Sequence, residues 1–238
     1  YVYWPSGATR SAPLLVAVHG ISRNAREQAR LLSECAEQYG VVVFAPLFGV
    51  DFFPDFQRLG RRGLRADHAL DRLLEDFGRV TGIDTRRFFL YGFSGGGQFG
   101  HRYAMANPGR VRALAVTAAG WYTWPDTARP FPQGMAACGQ LPDLRFDLER
   151  FLRVPVSVLV GAGDVMRDQS LRQSAGVDRR QGENRVERGR RWLRRLRREA
   201  RQAQEITVAI SRDASSPARW NLVHSGGGGD DPAGSSAS

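Results

Sequence analysis

Five consecutive residues, Gly92-Phe93-Ser94-Gly95-Gly96, match the pattern G-x-S-x-G, in which a serine hydroxyl is presented for nucleophilic attack. The apolar run Phe88 to Phe93 enters the motif as a strand. Gly95 to Ala106 leaves it as a helix, ended by Asn107-Pro108-Gly109. A link that tight puts Ser94 in a strained backbone conformation. Side chains two residues before and after it would collide, so Gly92 and Gly96 carry none. Ser94 then sits at a helix N-terminus, where the N–H of Gly95 and the helix dipole face a developing oxyanion. The chemistry such a site supports is acyl transfer through a covalent intermediate.

The elements that must hold this site follow a simple pattern. Apolar runs of strand length alternate with amphipathic segments of helix length, which predicts an α/β fold with a mostly parallel sheet and helices on both faces. The strands read as Leu14 to His19, Val41 to Ala45, Phe88 to Phe93, Val111 to Thr117, Val156 to Val160 and Ile206 to Ile210, with Val2 to Trp4 as a short edge strand. One helix runs from an Asn24 cap to Tyr39 and stops at Gly40. A second carries Ala66, Leu70, Leu73, Phe77 and Val80 at helical spacing. Asp147 to Leu152 is a short further helix. A long last helix shows an apolar stripe of Val186, Gly189, Leu193, Leu196, Ala200 and Ala203, with arginines on a solvated outer face. The 238 residues suit one domain, 1–224, followed by a Gly/Ser-rich tail, 225–238, that reads as disordered.

Four stretches carry a resemblance: Val18-His19-Gly20, Gly92 to Gln98, Ala119-Gly120-Trp121, and Gly161-Ala162-Gly163-Asp164. In that order they resemble the α/β-hydrolase superfamily, in particular its small lidless bacterial esterases related to polyhydroxybutyrate depolymerases and feruloyl esterases. The resemblance implies an α/β-hydrolase fold and a triad in the order Ser, acid, His, each after a strand. It makes Asp164 the leading acid, with Asp168 as the alternative. His224 is the one histidine that follows the acid, so it is the expected general base. The resemblance also assigns the second oxyanion donor to the N–H of Ile21, beside that of Gly95, and gives His19 a structural place in that loop. Members usually continue from the catalytic histidine into a closing helix, whereas Ser225 here opens the Gly-rich tail.

Trp121, Tyr122 and Trp124 follow the strand after the elbow, and Phe48 follows another strand at the same edge, so these aromatics are expected to line a substrate pocket. The expected reaction is hydrolysis of a small-molecule or polymeric carboxylic ester. Peptidase or amidase activity on the same triad, and a binding protein that kept the fold without activity, are the alternatives. No motif calls for a metal or other cofactor. The formal net charge is +10, yet all 34 basic residues are arginine and none is lysine. That uniformity reads as compositional habit, so no nucleic-acid partner is expected. No apolar run approaches bilayer-spanning length, so no stable membrane insertion and a soluble protein are expected. The chain opens at Tyr1 already in a strand-like run and reads as trimmed, which leaves a cytoplasmic or exported location open, along with the oligomeric state. Cys35 and Cys138 fit no metal or CxxC redox spacing.

Overall fold

The structure, a computed structural model, describes residues 1–200 and the strand 206–211. His224 and the tail 225–238 lie outside the described residues. A seven-stranded sheet forms the centre. Along the chain its strands are β1 (Val2–Tyr3), β2 (Leu14–Val18), β3 (Val42–Phe44), β6 (Phe88–Phe93), β7 (Val111–Thr117), β8 (Val156–Gly161) and β9 (Ile206–Ser211), while β4 (Gly60–Arg61) and β5 (Leu64–Arg65) form a separate hairpin. The spatial order is β1-β3-β2-β6-β7-β8-β9, with β1 antiparallel and every other pairing parallel.

The helices are α1 (Ala25–Leu31), α2 (Ser33–Tyr39), α3 (Ala66–Thr81), α4 (Gly95–Ala106), α5 (Leu148–Phe151), α6 (Ala175–Gln181) and α7 (Arg185–Glu199). Central strands are apolar on both faces because helices cover both: Val16, Val18, Leu90, Leu114, Val116 and Val158 join one core cluster, and Ala17 and Val43 join a second. No helix among the described residues is long and apolar enough to cross a membrane.

Three elements differ from the sequence reading. The expected helix from Asn24 to Tyr39 is two helices broken at Leu32, whose φ of −96° and ψ of 1° depart from helical values. Helix α7 is not simply solvated on its arginine face. Arg188 is fully buried and Arg185 nearly so, because Gly189 lets the helix approach β8, with Val158 Cγ1 only 3.0 Å from where a Cβ would stand. Trp192, outside the expected stripe, is also fully buried. Helix α6 was not foreseen; its N-cap Ser174 accepts from the N–H of Val177 at 3.3 Å.

The topology itself points to a site. From β2 the chain moves outward to β3, then returns to place β6 on the other side of β2. Connections therefore leave β2 and β6 in opposite directions, which opens a crevice at their carboxyl ends, where ligands bind in open α/β sheets. The segments at those two ends are Gly20-Ile21 and Ser94-Gly95.

Candidate active site

Ser94 has φ 52° and ψ −109°, a strained conformation for a residue with a side chain. Its N–H donates to Thr117 O at 2.8 Å, which ties the elbow to the end of β7. The side chain is half-buried and so remains reachable. The glycines show why the motif is needed. A Cβ on Gly92 would stand 2.2 Å from Gly96 O, and one on Gly96 would stand 2.0 Å from Val18 O. Both are backbone contacts that cannot swing aside.

The loop after β2 lies against the elbow. Ile21 N is 3.2 Å from the position a Gly95 Cβ would occupy, and Ser94 Cβ is 3.6 Å from that of Gly20. Neither the N–H of Ile21 nor that of Gly95 is used by a turn, a loop or a side chain among the described residues. Two free amide hydrogens thus stand beside one serine hydroxyl. Of what holds the loop in place, the sequence reading named His19 and missed Arg23. Arg23 donates to Ile21 O at 2.9 Å and to Phe48 O at 3.0 Å. His19 Nδ1–H donates to Gly20 O at 2.7 Å while its Nε2 accepts from the N–H of Phe48 at 3.0 Å.

His101 does the same on the other side. Its Nδ1–H donates to Gly97 O at 2.9 Å, and Nε2 accepts from the N–H of Thr123 at 2.9 Å. Both rings are fully buried with both nitrogens engaged as neutral imidazoles, so neither is free to act as a base. Burial lowers both pKa values, that of His101 well below the ordinary histidine value with the charge of Arg102 adding, while the bond to Gly20 partly offsets the effect at His19. The unfolded chain protonates these rings near pH 6.5 and the fold does not. Unfolding therefore takes up protons as pH falls below about 6.5, and stability declines by up to about 1.4 kcal/mol per pH unit for each ring. Thermal melts should show a level Tm above about pH 7.5 and a falling one from 6.5 to 5.5. A Tm unchanged down to pH 5.5 would rule out the buried neutral pair. His68, the other described histidine, lies on exposed α3 surface facing Asp143 at 3.8 Å.

Asp164 follows β8 as expected and is partly exposed. Its Oδ1 accepts from Arg185 Nη1 at 2.9 Å, and Oδ2 has no hydrogen-bond partner among the described residues. Asp168 is used differently. Its Oδ1 accepts from Ser170 N at 2.8 Å, Ser170 Oγ at 2.6 Å and Leu171 N at 3.0 Å, which makes it the cap of its own turn. Those bonds to Ser170, then Arg185, hold its carboxyl down at about 2.

The expected pocket aromatics divide. Phe48 and Tyr122 are core residues in the structure, at 1% and 0% exposure, and cannot form the wall of an open cleft. Phe48 stacks on Phe56 with ring centroids 5.4 Å apart, and Tyr122 stacks on Trp192 at 4.6 Å. Apolar partners from distant segments pull both rings inward. Trp121 is also nearly buried, beside Arg102 and Arg172. Trp124 stays partly exposed. Among the described residues no group of three or more His, Cys, Asp or Glu could hold a metal ion.

The fold is that of the α/β-hydrolase superfamily. Among solved structures, the chain is similar to poly(aspartic acid) hydrolase-1 from Sphingomonas sp. KT-1, at a TM-score of 0.76 and 25% identity, covering 91% of this chain and 87% of that one. It is also similar to LpqC, a poly(3-hydroxybutyrate) depolymerase from Bordetella parapertussis, at 0.75 and 25%, covering 89% and 78%. A curated relative, the bifunctional acetylxylan esterase/xylanase XynS20E of Neocallimastix patriciarum, is 27% identical over 118 residues. That match spans 48% of this chain and 17% of the relative's length. No family model matches the chain.

Proposed function

We propose that the protein is a serine hydrolase that cleaves carboxylic esters through an acyl-enzyme on Ser94. The observation that carries this reading is a half-buried serine at positive φ heading a helix, beside the two free N–H groups of Gly95 and Ile21. The neighbours' names, a depolymerase and an acetylxylan esterase, support the ester class.

In this reading His224 takes the Ser94 proton as Oγ attacks the carbonyl carbon. The tetrahedral oxyanion is received by the N–H groups of Gly95 and Ile21, and its collapse expels the alcohol with the proton returned by His224. Water then repeats the sequence on the acyl-enzyme. His224 receives the role of base because His19 and His101 are committed to backbone bonds. Asp164 orients it through the free Oδ2, while Arg185 holds the other oxygen.

Asp164→Asn is expected to lower kcat on p-nitrophenyl butyrate by about 10³ to 10⁴-fold, since an amide favours the wrong imidazole tautomer. Asp168→Asn should cost less than about tenfold, because that carboxylate caps a turn. Equal losses in the two variants would remove Asp164 from the triad. Amide hydrolysis is a second reading, favoured by the neighbour named as a hydrolase of poly(aspartic acid). Matched esters and anilides of the same acids separate the two.

A further inference from the structure

Three arginines from distant parts of the chain meet beside the elbow helix, and none of them pairs with a carboxylate among the described residues. Arg102, on α4, is fully buried. Its Nε–H donates to Thr123 Oγ1 at 2.9 Å, while Nη1 donates to the carbonyl of Gln57 and reaches Gln98 Oε1 at 3.4 Å. Its Nη2 is buried and has no hydrogen-bond partner among the described residues. Arg58 and Arg172 are half-buried, and each has a buried Nε without a hydrogen-bond partner among the described residues. Arg102 and Arg172 lie over the ring of Trp121, 4.3 and 4.9 Å from its centroid.

The charges acting on Arg102 come from Arg58 and Arg172, and the charge acting on Arg172 comes from Arg58. Burial first, and these like charges second, pull both guanidinium groups below their ordinary pKa. The other buried arginines are treated differently. Arg185 meets Asp164 at 2.9 Å and Arg188 meets Asp178 at 2.6 Å. Grouped positive charge that is desolvated and unneutralised is costly. Contact with an indole face offsets only part of that cost. An arriving anion would supply the missing countercharge.

Its place relative to Ser94 is set by the helix. Ser94, Gln98 and Arg102 follow at steps of four and share one face of α4. Long helical side chains lean toward the N-terminus, and the Arg102–Gln98 contact shows that lean. The guanidinium therefore lies over the turn that holds Gln98, and one turn advances about 5.4 Å. Arg58 arrives on the turn Phe56–Arg58, whose Phe56 ring reaches within 3.3 Å of the Gly95 Cβ position.

We infer that the half-buried Arg58 and Arg172, with the fully buried Arg102 adding its charge from beneath, form an anion subsite that takes a carboxylate of the substrate a few bonds from the scissile carbonyl. The inference rests on the ester-hydrolase reading and narrows it to esters of dicarboxylic acids with one free carboxylate.

The test compares mono-p-nitrophenyl adipate with its methyl-capped neutral counterpart at low salt. The wild-type protein should favour the anionic ester by about tenfold or more in kcat/KM, the scale of one charge-assisted hydrogen bond. Arg58→Gln and Arg172→Gln, at half-exposed positions, should each lower that ratio by about tenfold, and added salt should lower it in the wild type. Equal turnover of the two esters, or a ratio that neither replacement changes, overturns the subsite and leaves the hydrolase reading standing. If neither ester is cleaved, the hydrolase reading fails, and calorimetry of monomethyl adipate with the folded protein decides. Salt-sensitive binding that weakens about tenfold in Arg172→Gln supports the anion site; no binding overturns it.

Discussion

Ser94→Ala is expected to lower the turnover of p-nitrophenyl butyrate by roughly 10⁴ to 10⁶-fold and to abolish labelling by a fluorophosphonate probe. The size of the effect follows from what remains. The variant keeps both N–H groups and the loop braced by His19 and Arg23, so it still binds and polarises a carbonyl. It has lost the atom that forms the covalent bond, and the components of such a site act as a unit. Stability should barely move, because the removed hydroxyl makes no hydrogen bond to a described residue, and alanine inherits the same positive φ. Unchanged Tm with lost activity is thus the expected signature. A variant that still labels at the wild-type rate would place the nucleophile elsewhere and dissolve the proposed mechanism.

The elbow was legible in sequence because its determinants are local. Strands at 88–93 and 111–117 appear with the bounds read from their apolar runs, since helices cover most of both faces of a central strand, even though Arg112 within the second is polar and exposed. The break at Leu32 left no mark on a continuous amphipathic pattern. Helix α6 was missed because Ala175 to Gln181 carries few apolar residues to set a period. The inward turn of Tyr122 depended on Trp192 and Gly189, some seventy residues on, and such contacts have no local signature. The same holds for Arg58, Arg102 and Arg172. Each reads alone as one more surface arginine in a chain full of them. Their grouping becomes visible only in the fold, which brings the turn 56–58, α4 and the segment after β8 together.

Gly96→Ala tests the physical basis of the motif rather than its chemistry. A Cβ at residue 96 would stand 2.0 Å from Val18 O and 2.6 Å from His19 O, both backbone atoms at the end of β2, where it leads into the loop of Ile21. Relief requires α4 to move away from β2 by more than an ångström, on the order of the gap to ordinary contact distance. That motion separates Gly95 from Ile21. Overpacking a core with side chains costs about 1–3 kcal/mol, and rigid backbone gives less room to relax, so about 3 kcal/mol or more is expected. In a chain of this size that lowers Tm by about 6–12 °C, with activity falling further than stability because the two amide donors part. Gly176→Ala is the matched control. It lies within α6 with no atom within 4 Å of a Cβ and no positive φ, so alanine should be neutral or stabilise by up to about 1 kcal/mol. Circular-dichroism melts and ester turnover on the two variants read both effects. If Gly96→Ala melts with the wild type and hydrolyses esters at its rate, the close approach of β2 and α4 is not what builds the site.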